Sequence, residues 1–111
     1  MSDIKTQVKI ADEVIASIAS KAVLEAEGVA GMAGNYAGDL AGKIYRWKPA
    51  KGVTLQIENE NVQISLEIVV KGGVKIQDVA RDVQQKVKTA IETMTGYTAS
   101  VVNVHVAGLV A

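Results

Sequence analysis

His105 is the only histidine in the chain, and no cysteine accompanies it. An imidazole near neutral pH can serve as a general base, a metal ligand or a pH-sensitive contact. Catalysis would also need an orienting carboxylate and a nucleophile, and a metal site would need further ligands. The surrounding stretch, TASVVNVHVAGL, offers no acid and no second histidine. Glu58 and Glu67 are the carboxylates that neighbouring strands could bring near it. Val102, Val104 and Val106 alternate with Val101, Asn103 and His105, the period-two pattern of a strand with one apolar face. With the even-numbered valines turned to a core, His105 is an outward rung of the strand.

The glycines invite a different chemistry. Residues 28–52, GVAGMAGNYAGDLAGKIYRWKPAKG, hold six of the ten glycines and the only proline. A phosphate-binding loop needs Gly, four residues, then Gly-Lys-Ser/Thr after a strand. Here three residues separate Gly38 from Gly42, Ile44 follows Lys43, and the segment follows a helix. Nucleotide binding is therefore not indicated. Gly34, Gly38 and Gly42 recur every fourth residue, as do Met32, Tyr36, Leu40 and Ile44. That spacing suits a helix formed on contact with a partner, although a long loop is the simpler reading.

Within this stretch Lys43, Arg46, Lys48 and Lys51 interleave with Tyr45 and Trp47. Cations with aromatics suit a protein interface, an anionic headgroup surface or a nucleic-acid strand. They equally suit an edge of the core covered by Trp47 with the lysines in water. The carboxylates are scattered: Glu58 and Glu60 flank a turn, and Asp78 and Asp82 lie on an exposed helix face. No metal-ligand spacing and no cofactor motif appear.

The elements that carry these residues follow from periodicity. Val14, Ile15, Ile18, Ala19, Ala22, Val23 and Ala26 form one stripe of a helix over roughly 12–27, with Asp12 and Glu13 in its first turn. Val53, Leu55 and Ile57 alternate with polar residues, as do Val62, Ile64, Leu66, Ile68 and Val70. With ENEN (58–61) as a tight connection, these make a hairpin. A second helix spans about 75–94, with Ile76, Val79, Ala80, Val83, Val87, Ala90, Ile91 and Met94 on its apolar stripe and Gly96 at its end. The last strand runs over about 98–106.

The predicted fold is α+β, in the order α-β-β-α-β, with two helices packed on one face of a three-stranded sheet. Periodicity leaves the strand order open, with 53–58 favoured as the central strand. The 111 residues suit a single domain, 1–111, with a long Gly-rich loop at about 28–52. Twelve basic residues balance twelve acidic ones, so no global field draws the chain to nucleic acid. The absence of cysteine excludes thiolate chemistry and disulfide staples. The first ten residues read as no signal peptide, and no apolar run reaches the roughly 18 residues of a membrane helix. Work at a membrane would then need another anchor.

Taken end to end, residues 8–110 resemble the alkaline shock protein family of bacterial envelope stress proteins. The most specific stretch is DVARDVQQKVKTAIETMTGYTASVVNVHVAGL, with Val83-Gln84, Met94-Thr95-Gly96 and the strand from Val102 to Val106 in the family's order. IADEVIASIA, EGVAGM and KGV (51–53) support it. Ala11 departs from the pattern, where Ser or Thr would cap the helix. The resemblance implies a non-enzymatic cytoplasmic protein of the cell-envelope and alkaline stress response. It would be peripheral at the membrane through a small integral-membrane anchor protein, with homo-oligomers in some members. It carries over no catalytic residue; Gln84, Gly96 and Asn103 match as structural positions.

The expected function is an interaction module. Its candidate surfaces are the patch Lys43, Tyr45, Arg46, Trp47, Lys48 and Lys51, and the polar sheet face Gln56, Gln63, Glu67, Asn103 and His105. The alternative is a small nucleic-acid-binding α+β domain, against which stand the neutral charge and the lack of aromatics on the strands.

Overall fold

The computed structural model describes residues 8–33 and 52–110. Among these residues, two helices and four strands form one layer of helices on one face of a sheet. Their order is α1 (Asp12–Leu24), β1 (Val29–Met32), β2 (Val53–Glu58), β3 (Asn61–Lys71), α2 (Ile76–Thr95) and β4 (Thr98–Val110).

β3 is the middle of the sheet. β4 pairs with it in parallel from Asn61 to Lys71, the whole of one edge. The other edge is shared: β2 pairs antiparallel with its first half, Leu66 to Asn61, and β1 antiparallel with Ile68 to Val70. This corrects the preference for 53–58 as the central strand. The physical reason lies in length and burial. β3 is the longer strand of the hairpin, and Val62, Ile64, Leu66, Ile68 and Val70 are all essentially sealed from solvent. Val53, Leu55 and Ile57 of β2 are only half-buried, as the apolar face of a side strand is.

The sheet also has one more strand than the sequence reading gave. β1 lies inside the stretch read as a loop over 28–52. Its four residues, VAGM, are too short and too poor in large side chains to show a period. Residues 34–51 of that stretch lie outside the described residues.

α1 packs on β1 and β2, α2 packs on β4, and the helices pack on each other. Ile15, Ala19 and Val23 of α1 and Val83, Val87 and Ile91 of α2 are fully buried against the β3 residues. Each such aliphatic side chain contributes about 1.5–3 kcal/mol by leaving water, before chain entropy is subtracted. The stripes end sooner than their periodicity suggests, since Val14, Ile76 and Met94 are exposed. α1 also stops at Leu24 rather than near 27.

Tyr97, buried just after α2, accepts a hydrogen bond through its hydroxyl from the Ile10 N–H at 3.3 Å. This ties the segment ahead of α1 to the start of β4. Ala11 occupies the N-cap of α1 and supplies no side-chain cap. Its backbone carbonyl still accepts from Val14 and Ile15. Gly96 closes α2 in the left-handed conformation, its N–H donating to the Glu92 carbonyl.

Gly28 is the tightest backbone position. Its φ is +92°, and a Cβ placed there would lie 2.7 Å from Val79 Cγ2. The turn from α1 into β1 therefore touches α2 directly. Gly28→Ala would combine left-handed strain with that clash, and urea unfolding should show a loss of about 2–3 kcal/mol or more. Ala11→Ser should act the other way. A hydroxyl at the uncapped helix start should raise unfolding stability by about 0.5–1 kcal/mol.

Candidate functional site

The strand registers bring the polar residues of β2, β3 and β4 onto one surface. Thr54 lies opposite Ser65, and Gln56 opposite Gln63. On the other side of β3, Ser65 lies opposite Asn103 and Glu67 opposite His105. All of these side chains are exposed, because the helices cover only the opposite face. Of the sequence-derived site residues, Gln56, Gln63, Glu67, Asn103 and His105 are thus brought together. Lys43, Tyr45, Arg46, Trp47, Lys48 and Lys51 lie outside the described residues.

The internal contacts of this face are loose. Asn103 Nδ2 donates to Ser65 Oγ at 3.4 Å. His105 Nδ1 stands 3.8 Å from Glu67 Oε2, beyond hydrogen-bond length, with 71% of the imidazole side chain exposed. A contact this open is screened by water and holds little geometry. Glu58, the other carboxylate considered for His105, pairs with Asn61 at the far end of the hairpin. Every buried side-chain polar atom among the described residues has a partner, so no orphaned group points to a missing ligand. A concavity lined by Lys9, Asp12, Asn59 and Tyr97 among others lies at the sheet end and includes no residue of this face. The arrangement is a flat hydrogen-bonding surface of amides and hydroxyls, not a pocket.

The outer edge of β4 is the second notable feature. α2 reaches over its first half with two side chains. Glu92 Oε2 accepts the Ala99 N–H at 3.0 Å, and Gln84 Nε2 donates to the Val102 carbonyl at 2.9 Å. Beyond Val102 no side chain of the described residues takes up this edge. The sequence reading gave Gln84 a structural role as a helix-face amide. Its use as an edge cap was not legible, because its partner is 18 residues away and is a backbone carbonyl.

Glu92 is the one group with a resolved shift among the described residues. Its hydrogen bond from the Lys88 ammonium, 2.8 Å away, is the main cause, and the Ala99 amide adds to it. Both favour the carboxylate and hold its pKa below the ordinary value.

The profile of the alkaline shock protein 23 family, described as having a cell envelope-related function, matches residues 1–111. Among curated proteins, the chain is similar to YqhY of Bacillus subtilis, 34% identical over 103 residues, covering 93% of this chain and 76% of YqhY. It is also similar to YloU of the same organism, 36% identical over 105 residues, covering 93% of this chain and 88% of YloU. Among solved structures, a single-substitution variant of MamM-CTD matches with a TM-score of 0.54 over 88% of this chain and 98% of that one. At 12% identity this likeness speaks for the fold alone. No helix among the described residues is long and apolar enough to cross a membrane.

The Glu92 cap carries a pH dependence of definite sign. With the folded pKa lowered, the unfolded chain takes up the proton first as acid is added. The contribution is whole above the ordinary carboxylate value and is lost as pH falls through the lowered one. Urea midpoints measured from about pH 6 down to about pH 3 should therefore fall less steeply in Glu92→Gln than in the unaltered chain. Parallel curves would mean that the carboxylate clip is not formed.

Proposed function

The chain belongs to the alkaline shock protein 23 family, of cell envelope-related function, and on that premise we propose that it is a non-enzymatic interaction module. It binds a membrane-anchored partner, copies of itself, or both, through the open face of its sheet and residues 28–52, and its exposed strand edge is open to pairing with a further strand. The observation that carries this reading is that face: Gln56, Gln63, Glu67, Asn103 and His105 stand exposed and in register across three strands. Amides and hydroxyls on a rigid, flat scaffold give many directional hydrogen bonds at little ordering cost, as the polar part of a protein interface needs.

The same residues make a poor catalytic set. His105 has an exposed carboxylate at 3.8 Å as its only charged neighbour among the described residues, and no nucleophile in hydrogen-bond reach. Peripheral location at the cytoplasmic side of the envelope, through an integral-membrane anchor protein, fits a chain whose described helices cannot span a bilayer. A role in the response to envelope or alkaline stress belongs to the same proposal, as does a contribution from the Lys43–Lys51 patch. No observation favours the nucleic-acid alternative, since β2, β3 and β4 carry no Phe, Tyr or Trp on which a base could stack.

Recovery of partners from a detergent-solubilised membrane fraction tests the proposal. Gln56→Arg with Gln63→Arg places two bulky charges on the face, in two strands, without touching the core. Recovery of the membrane partner should fall about tenfold, equivalent to about 1.4 kcal/mol, with the thermal midpoint unchanged. Trp47→Ala with Lys48→Glu and Lys51→Glu tests the patch in the same way. Unchanged recovery by the first pair would remove the sheet face as the interface.

A further inference from the structure

We propose that a second copy of this chain pairs with the first through β4, antiparallel, with His105 on the two-fold axis. The proposal deepens the reading of the chain as an interaction module and rests on it.

The backbone directions come first. The Thr98 N–H donates to the Glu60 carbonyl, and the Val110 carbonyl accepts from the Gly72 N–H, so both residues turn towards the β3 side. Ala99 and Val102 turn the other way, towards Glu92 and Gln84. Alternate residues of a strand turn their N–H and C=O to the same edge. The register shifts on either side of Val101–Val106 mark where this alternation is reset. Between those shifts Val102, Val104 and Val106 face the free edge. The Val102 carbonyl is already held. Val104 and Val106 each present an N–H and a C=O that nothing among the described residues takes up.

The edge is also unguarded. From Thr98 to Val110 there is no Asp, Glu, Lys, Arg or Pro, the residues that ordinarily keep edge strands apart. Val102, Val104 and Val106 are only half-buried beneath α2, and Leu109 is 55% exposed. A strand without charges can meet its own copy without like-charge repulsion.

The free groups select one register. With Val104 on the axis, the second copy's Val106 would have to reach the Val102 carbonyl on the outer edge where the Gln84 side chain already sits. With Val106 on the axis, Val104 would meet Gly108, which shares the direction of Val110 towards β3. With His105 on the axis, Val104 pairs with the second copy's Val106 and Val106 with its Val104. Every free N–H and C=O of both residues then finds a partner. The valines of the two copies meet on the helix side. The two His105 residues face each other on the outer side as a non-hydrogen-bonded pair, with Cα atoms about 4.5 Å apart. A contact of this extent belongs with weak, transient interfaces that bury less than about 1,200 Å².

The chain has no native cysteine, so a single introduced thiol reports the register. His105→Cys places two thiols within disulfide span across the axis. Asn103→Cys leaves them about 13 Å apart along the strands, beyond that span. Under mild oxidation of the full chain, His105→Cys should form covalent dimer at least about tenfold faster than Asn103→Cys. Equal rates, a faster Asn103→Cys, or no dimer from either overturns the proposal. A chain that recovers its membrane partner but shows no preference for position 105 loses this contact and keeps the proposed function. A chain that cross-links at 105 but recovers no partner keeps this contact and loses membrane recruitment.

Discussion

The structure depends on one strand being hydrogen-bonded along both edges and sealed on one face. β3 supplies five aliphatic side chains to the helix side and is held by β4 along one edge and by β1 and β2 along the other. Without that double pairing, neither helix would have a continuous apolar floor. Both helices of the described residues lie on one side of the sheet, and the polar residues of its other face are exposed. The polar residues at alternate positions of β2, β3 and β4 are the necessary counterpart of the core, and the geometry that seals one side displays the other.

Coverage is also uneven from strand to strand. α2 packs on β4 and reaches past it with Gln84 and Glu92, satisfying Val102 and Ala99. Among the described residues, the strand then runs on to Val110 with a paired neighbour on one side only. Edge protection in this fold is thus partial. It rests on a helix laid beside the strand, not on charges placed within it. The residues that stop protecting the edge and those that complete the polar face meet at the same place, around His105.

Much of this was legible in the sequence. The valine ladder fixed His105 as an outward residue, and the imidazole is exposed beside Glu67. The stripes over α1 and α2 identified two helices of one sidedness, and Ala11 was recognised as a poor cap. Three features were not legible. β1 is too short and too glycine-rich to carry a period. Strand order depends on which edges meet, and the hairpin's two strands alternate alike; only the greater length of β3 hinted at its central place. The caps on β4 join side chains to backbone groups distant in sequence, which periodicity cannot register. For the polar face, residue identities and direction were readable. The pairings that align Gln56 with Gln63 and Glu67 with His105 needed the registers.

Backbone amide hydrogen exchange, residue by residue and at low protein concentration, tests the central claim most directly. The account predicts the slowest exchange between Val62 and Val70, intermediate exchange in 53–58, and fast exchange at Val104 and Val106 beside protected neighbours in the same strand. Slowest exchange in 53–58, or uniform protection along the whole of β4, would contradict it.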